Sequence, residues 1–239
     1  MSAVLELSGV SKIHPGTPPV AALRSVSLEV ESGEFVAVVG PSGSGKSTLL
    51  SIAGTLERPT EGTVRIAGAA VERFDDRELS AARAYEVGFV FQQFFLLPTV
   101  STLDNVANGL LYSGLPASQR RRAAARALES VGMGHRASHR SSHLSGGECQ
   151  RAAIARALVG DPSIILADEP TGNVDSAQGE AIMALLGELN RAGKTIVVVT
   201  HNQEIARLLP RTIRLRDGMV VEDTRIGAAA AAGGVGVSA

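Results

Sequence analysis

Gly40-Pro41-Ser42-Gly43-Ser44-Gly45-Lys46-Ser47-Thr48 is the stretch on which the fold turns. It matches the pattern G-x-x-x-x-G-K-[ST] in full. An apolar run, Phe35–Val39, leads in, and a helix-like run, 47–53, leads out. Glycines let backbone N–H groups close around an anion with no Cβ in the way. A helix starting here aims its positive end at the same anion. Lys46 adds a mobile point charge, and Ser47 offers a hydroxyl to a hard cation. A Gly/Ser-rich turn with a chance lysine explains neither the full pattern nor its flanks.

Working outward, apolar runs rich in Val and Ile recur at 164–167 and Thr195–Val199. They are too short for buried helices and read as strands covered on both faces of a parallel sheet. Helix-like stretches separate them, which makes the fold α/β. The N-terminal part differs. Residues 4–7, 25–30 and 63–66 read as antiparallel strands, with Glu31-Ser32-Gly33-Glu34 as a turn. Near the end, 212–216 and 219–222 flank Asp217-Gly218, a strong hairpin signal. Between Gln92 and Asp161 the composition turns helical. Ser118 can cap a helix over 119–131 that carries Arg120, Arg121, Arg122 and Arg126. That helix reads as a solvated face, or else as a surface near anionic lipid head groups. Residues 1–226 are expected to form one domain. The Ala/Gly-rich tail, 227–239, is expected to be disordered.

The chain has 239 residues, 44% hydrophobic and 20% charged, enough for a sizeable core. A net charge of -1 gives no basic field, so nucleic acid is not expected as a partner. The single cysteine, Cys149, has no internal partner for a disulfide, consistent with a reducing cytosol. No signal peptide is expected in the first ten residues. No run approaches the ~20 apolar residues of a membrane span, so a membrane role needs a partner.

Residues 164–169, Ile-Ile-Leu-Ala-Asp-Glu, end an apolar strand in two acids. Such an end lies at the ligand edge of a parallel sheet. Asp168 suits Mg²⁺, and Glu169 suits the proton of an attacking water. Leu144-Ser145-Gly146-Gly147-Glu148 then narrows the reading. Ser145 and Glu148 form a capping box ahead of a helix over 149–159. Gly146 and Gly147 leave its first N–H groups bare, a second anion site. With the P-loop upstream and the acids downstream, this run resembles the signature of ABC ATPases.

The resemblance implies a P-loop NTPase core of the ABC type, with an N-terminal antiparallel β subdomain and an α-helical subdomain inserted at about 93–160. It implies ATP and Mg²⁺ as cofactors. It also implies a head-to-tail homodimer in which the P-loop of one copy and the signature of the other hold each ATP. Phe89-Val90-Phe91-Gln92 resembles the Q-loop, where Gln92 would reach Mg²⁺ and the attacking water. Gly172-Asn173-Val174-Asp175 resembles the D-loop, placing Asp175 across the dimer interface. Thr200-His201 resembles the switch histidine that contacts the γ-phosphate.

The sequence departs from the family pattern in three places. Glu148 replaces the commoner glutamine, and a carboxylate there could weaken nucleotide-driven closure. Cys149 stands at a second such position, either as a small structural residue or with a pKa lowered by the helix start. His14 stands where the family usually stacks an aromatic ring on adenine; it either stacks with less area or touches nothing.

Residues 93–98 and 102–106 resemble the ATPase subunits of lipoprotein-release, macrolide-efflux and cell-division ABC systems. The implied partner is an integral membrane permease subunit, with the chain peripheral on the cytoplasmic face of the membrane. Phe94 and Phe95 are candidates for a groove that takes a helix of that subunit, while Phe89 and Phe91 alternate like strand core. The competing reading is a soluble ABC-type ATPase acting on DNA or ribosomes. Such proteins usually carry coiled-coil insertions or two ATPase domains, and this chain shows neither.

Overall fold

A computed structural model of the chain describes residues 3–225, so the expectation for 227–239 lies outside the described residues. Strands β1 (Ala3–His14) and β2 (Val20–Glu31) form a hairpin, and β3 (Phe35–Val39) follows. Next come helix α1 (Lys46–Ala53), strands β4 (Glu61–Ile66) and β5 (Ala69–Ala70), helix α2 (Asp76–Tyr85) and strand β6 (Val87–Val90). Three helices are inserted here: α3 (Thr102–Ala107), α4 (Ala117–Ser130) and α5 (Gly146–Leu158). The chain ends with β7 (Ile164–Asp168), α6 (Ser176–Arg191), β8 (Thr195–Val199), α7 (Gln203–Arg207), β9 (Arg211–Arg216) and β10 (Met219–Arg225).

One sheet, in the order β2-β1-β4-β5, is antiparallel. The other, β10-β9-β3-β8-β7-β6, is parallel from β9 to β6, with β10 antiparallel at its edge. This is the α/β core with N-terminal antiparallel β part and inserted helices that the sequence implied. The central strands are buried on both faces because alternate residues serve two cores. Val36, Val38, Ile164 and Leu166 face α1 and the antiparallel sheet. Ala37, Val39, Ile165 and Ala167 face the side of α5 and α6.

The structure departs from expectation at two local points, the length of the first hairpin and the cap of α4. β1 and β2 are each twelve residues, longer than the runs expected at 4–7 and 25–30. Register shifts follow Leu7 and Val10, and Gly9 and Ser25 take φ of 60° and 48°. Each shift breaks the alternation by which a strand is read from sequence. Ser118 is not a cap. Helix α4 begins at Ala117, with Pro116 in extended geometry as N-cap and its carbonyl accepting from the Arg120 N–H. The first N–H groups of a helix lack intrahelical partners in any case, so a proline can lead in without a side-chain cap. The Asp217-Gly218 hairpin forms as expected, both residues at positive φ (51° and 77°), as a tight right-twisted turn requires. No helix among the described residues is long and apolar enough to cross a membrane.

Candidate active site

The loop after β3 is shaped by close approaches that only glycine permits. A Cβ on Gly40 would lie 2.2 Å from the Leu215 carbonyl oxygen, and one on Gly45 2.4 Å from that of Ala22. Gly218 donates to the Ser44 carbonyl (3.1 Å) and accepts from Arg24 N–H (2.8 Å). The β9–β10 turn thus holds the loop and β2 together, a support that its hairpin signal alone did not indicate. Ser42 and Gly43 face outward, and Thr48 is half-buried in the first turn of α1. The Lys46 ammonium donates to the carbonyls of Gly40 and Pro41, both at 2.9 Å, and meets no carboxylate among the described residues. Ser44 is 2% exposed, and its hydroxyl has no hydrogen-bond partner among the described residues. A cation held only by carbonyls, an orphaned hydroxyl and a bare helix start together fit a phosphate chain.

β7 delivers the two acids beside this loop. Burial, and then the adjacent Glu169 charge, push the Asp168 carboxyl above the usual range; the Ser47 hydroxyl and the Lys46 ammonium pull it the other way. Ser47 and Asp168 therefore converge, an oxygen pair suited to Mg²⁺. Glu169 takes φ 45°, left-handed for a residue with a Cβ. Its Oε1 accepts from the His201 backbone N–H (2.9 Å) and lies 2.7 Å from His201 Nδ1, and its Oε2 accepts from the Thr200 hydroxyl (3.3 Å). Glu169 and His201 thus meet at the end of β8, and Thr200 joins them as a contact not expected from sequence.

Gln92 follows β6 and lies against Gly172, where an added Cβ would sit 2.8 Å from its Nε2. Asn173 donates to its carbonyl (2.8 Å). Among the described residues its side chain makes no hydrogen bond to Ser47 or Asp168. His14 ends β1 opposite Val20. The same hairpin reaches the loop through Ala22 and Leu23, which crowd Gly45.

The second cluster stands apart, with no hydrogen bond from 145–148 to 40–48 among the described residues. Ser145 caps α5, and the capping box with Glu148 is complete. Ser145 and Gly146 are exposed, whereas Gly147 is buried: its Cβ would lie 2.0 Å from Gln178 Oε1. Gly147 therefore serves the packing of α5 on α6. Asp175 caps α6 by accepting from Gln178 N–H (2.9 Å). Burial, then the Glu148 charge, push the Cys149 thiol up, so the small structural role fits it and an activated thiol does not. Glu148 also takes a hydrogen bond from Arg136 (2.8 Å), a residue that no local pattern singled out.

Beside β6 lies a groove of about 510 Å³ whose walls include Phe89, Phe91, Phe95 and Arg156. This amends the expected split. Phe89 and Phe91 are half-buried and stack at 5.3 Å, and Phe91 meets Phe95 edge-on at 5.5 Å. β6 is an edge strand, so its alternation leaves one side open. Phe94 is half-buried and lies outside this groove. Arg156 donates to the carbonyls of Phe94 (2.8 Å) and Phe95 (2.6 Å) and fixes that loop. The end of α1 reaches the groove too, since Gly54 lies against the Phe89 ring.

Known proteins resemble this chain in sequence and in fold. The family profile described as ABC transporter matches residues 23–172. An uncharacterized ABC transporter ATP-binding protein of Thermotoga maritima is 52% identical over 92% of this chain and 94% of its own length. A macrolide export ATP-binding/permease protein of Rhodopseudomonas palustris is 46% identical over 92% of the chain, which spans only 34% of that longer relative. A dimeric structure of the ATP-binding cassette MJ0796, in a post-hydrolysis state with ADP and Pi, superimposes with a TM-score of 0.84. It is 44% identical and covers 94% of this chain and 99% of its own.

Proposed function

The chain belongs to the ABC transporter family as an ATP-binding, ATP-hydrolysing subunit, and from that membership we propose that it is the motor of a membrane export or extraction system. In this reading residues 1–226 are one ATPase domain with a helical subdomain at about 93–160. Two copies close head-to-tail around two ATP. Gly40 to Thr48 wrap the phosphates, Lys46 leaves its loop carbonyls for the β- and γ-phosphates, and His14 backs the base. Ser145, Gly146, Gly147 and Glu148 of the second copy meet the γ-phosphate from the other side, and Asp175 lines the shared boundary.

Glu169 takes the proton of the water that attacks the γ-phosphorus in line, as the bond to the β–γ bridging oxygen breaks. Bound to Glu169 through Nδ1, His201 keeps Nε2 for the γ-phosphate. Ser47 and Asp168 are the proposed Mg²⁺ ligands; Gln92, now against Gly172, would swing to join them. When bound, the ion supplies positive charge at the β- and γ-phosphates.

The observation that carries the membrane half is the aromatic groove. Phe91 immediately precedes Gln92, so a segment seated there touches the residue next to the proposed metal ligand. Its proposed occupant is a helix of an integral membrane permease subunit, which would hold the chain on the cytoplasmic face of the membrane. In the macrolide export relatives the name itself joins an ATP-binding and a permease part. The test is co-purification of tagged Glu169→Gln protein with ATP and Mg²⁺ from native membranes in mild detergent. A polytopic membrane protein is the expected companion. Ribosomal or nucleic-acid companions alone would overturn the membrane assignment.

A further inference from the structure

Glu148 places an acid at the helix start that the dimer reading turns toward a second copy's γ-phosphate. The acid is held on both oxygens. Oε2 accepts from the Ser145 backbone N–H (2.9 Å), and Oε1 from Arg136 Nε (2.8 Å). Arg136 is its one salt-bridge partner among the described residues. The Ser145 N–H, and further down Arg136, hold the carboxyl below its usual range against the effect of burial. It stays ionised at neutral pH and cannot shed its charge by protonation. A lone carboxylate in the first turn would offset the partial positive charge that makes a helix start attractive to phosphate.

We propose that Arg136 is a positioning residue that cancels the charge of Glu148, so that the start of α5 can receive a γ-phosphate from a second copy of the chain. The inference rests on the dimer reading above. Glutamine at position 148 would complete the capping box without charge and need no arginine. Arg136 sits on a turn of its own, residues 134–136, with Nη1 facing His139 Nε2 at 3.3 Å, so it reaches Glu148 from outside the helix.

The experiment uses Glu169→Gln protein throughout, so that ATP is not consumed, and measures the dimer dissociation constant by sedimentation with ATP and Mg²⁺. Arg136→Ala should weaken the dimer about tenfold per site, and so about a hundredfold overall, because each dimer uses the contact twice. Adding Glu148→Gln to Arg136→Ala should recover most of the loss. A dimer of parental strength in Arg136→Ala would overturn the inference. So would a double variant no tighter than Arg136→Ala, because a mere tether is not restored by removing its other end. Arg136→Gln replaces Arg136→Ala if thermal melting shows that alanine loosens the turn. If the Glu169→Gln parent itself stays monomeric with ATP, the dimer reading falls, and this inference with it.

Discussion

Among the described residues the Lys46 ammonium bonds only to carbonyls of its own loop, so its charge is free to be claimed by a phosphate. Lys46→Ala should weaken ATP binding on the order of 100-fold, the scale of a lost charge-assisted contact. Titration with a fluorescent ATP analogue checks this, and unchanged affinity would refute the phosphate-loop assignment. Glu169 is held by His201 and Thr200 at the end of β8. Glu169→Gln should keep ATP binding while turnover falls about 10²- to 10⁴-fold, the range of a lost general base. Rapid turnover by that variant would remove Glu169 from the role. These residues could be read from sequence because each sits in a run of neighbours with one chemical task. Arg136 could not be, since its partner is twelve positions away and neither residue's surroundings imply the other. Arg156 left a faint trace, a charge among Ala152, Ala153, Ile154, Ala155 and Ala157, all buried.

Among elements, the β9–β10 hairpin carries more than its turn signal suggested. Its turn braces the phosphate loop, and its strands are pinned by Arg211, whose side chain is 5% exposed. Arg211 bonds Glu34 (2.6 Å), Asp223 (2.7 Å) and the Glu29 carbonyl (2.8 Å), tying β9 and β10 to the end of β2 and the entry to β3. Arg211→Ala should cost about 2 kcal/mol, because it removes charge-assisted hydrogen bonds to Glu34 and to the exposed Asp223, while Arg225 stays paired with Glu34; denaturant midpoints give the value. The bond from Arg211 also holds the Asp223 carboxyl below its ordinary value of 3.8. The folded state binds that proton less readily than the unfolded chain. Its stabilisation is therefore complete at neutral pH and is lost as pH falls below about 4 through the lowered value. Asp223→Asn should flatten this acid-side loss; an unchanged acid profile would contradict it. The parallel strands were legible because burial on both faces leaves an unbroken apolar run. The true lengths of β1 and β2 were not, because their bulges interrupt the alternation. The groove was missed at Phe89 and Phe91 because a strand's period does not reveal that it lies at a sheet edge.

At the scale of the whole molecule, we propose two anion cradles, at α1 and at α5, which share no hydrogen bond among the described residues. A monomer has no evident use for the second. Two copies turned head to tail would bring the α5 cradle of each to the α1 cradle of the other, giving two equal sites. The order of the motifs along the chain pointed to this, but the sequence could not say how the α5 cradle is built. Gly147 is packed against Gln178, and the Glu148 charge is answered from another turn. The most direct test is the solution mass of Glu169→Gln protein by light scattering, with and without ATP and Mg²⁺. The expected mass is that of one chain, 24.7 kDa, without nucleotide, and twice that with ATP. A single-chain mass at saturating ATP would contradict it.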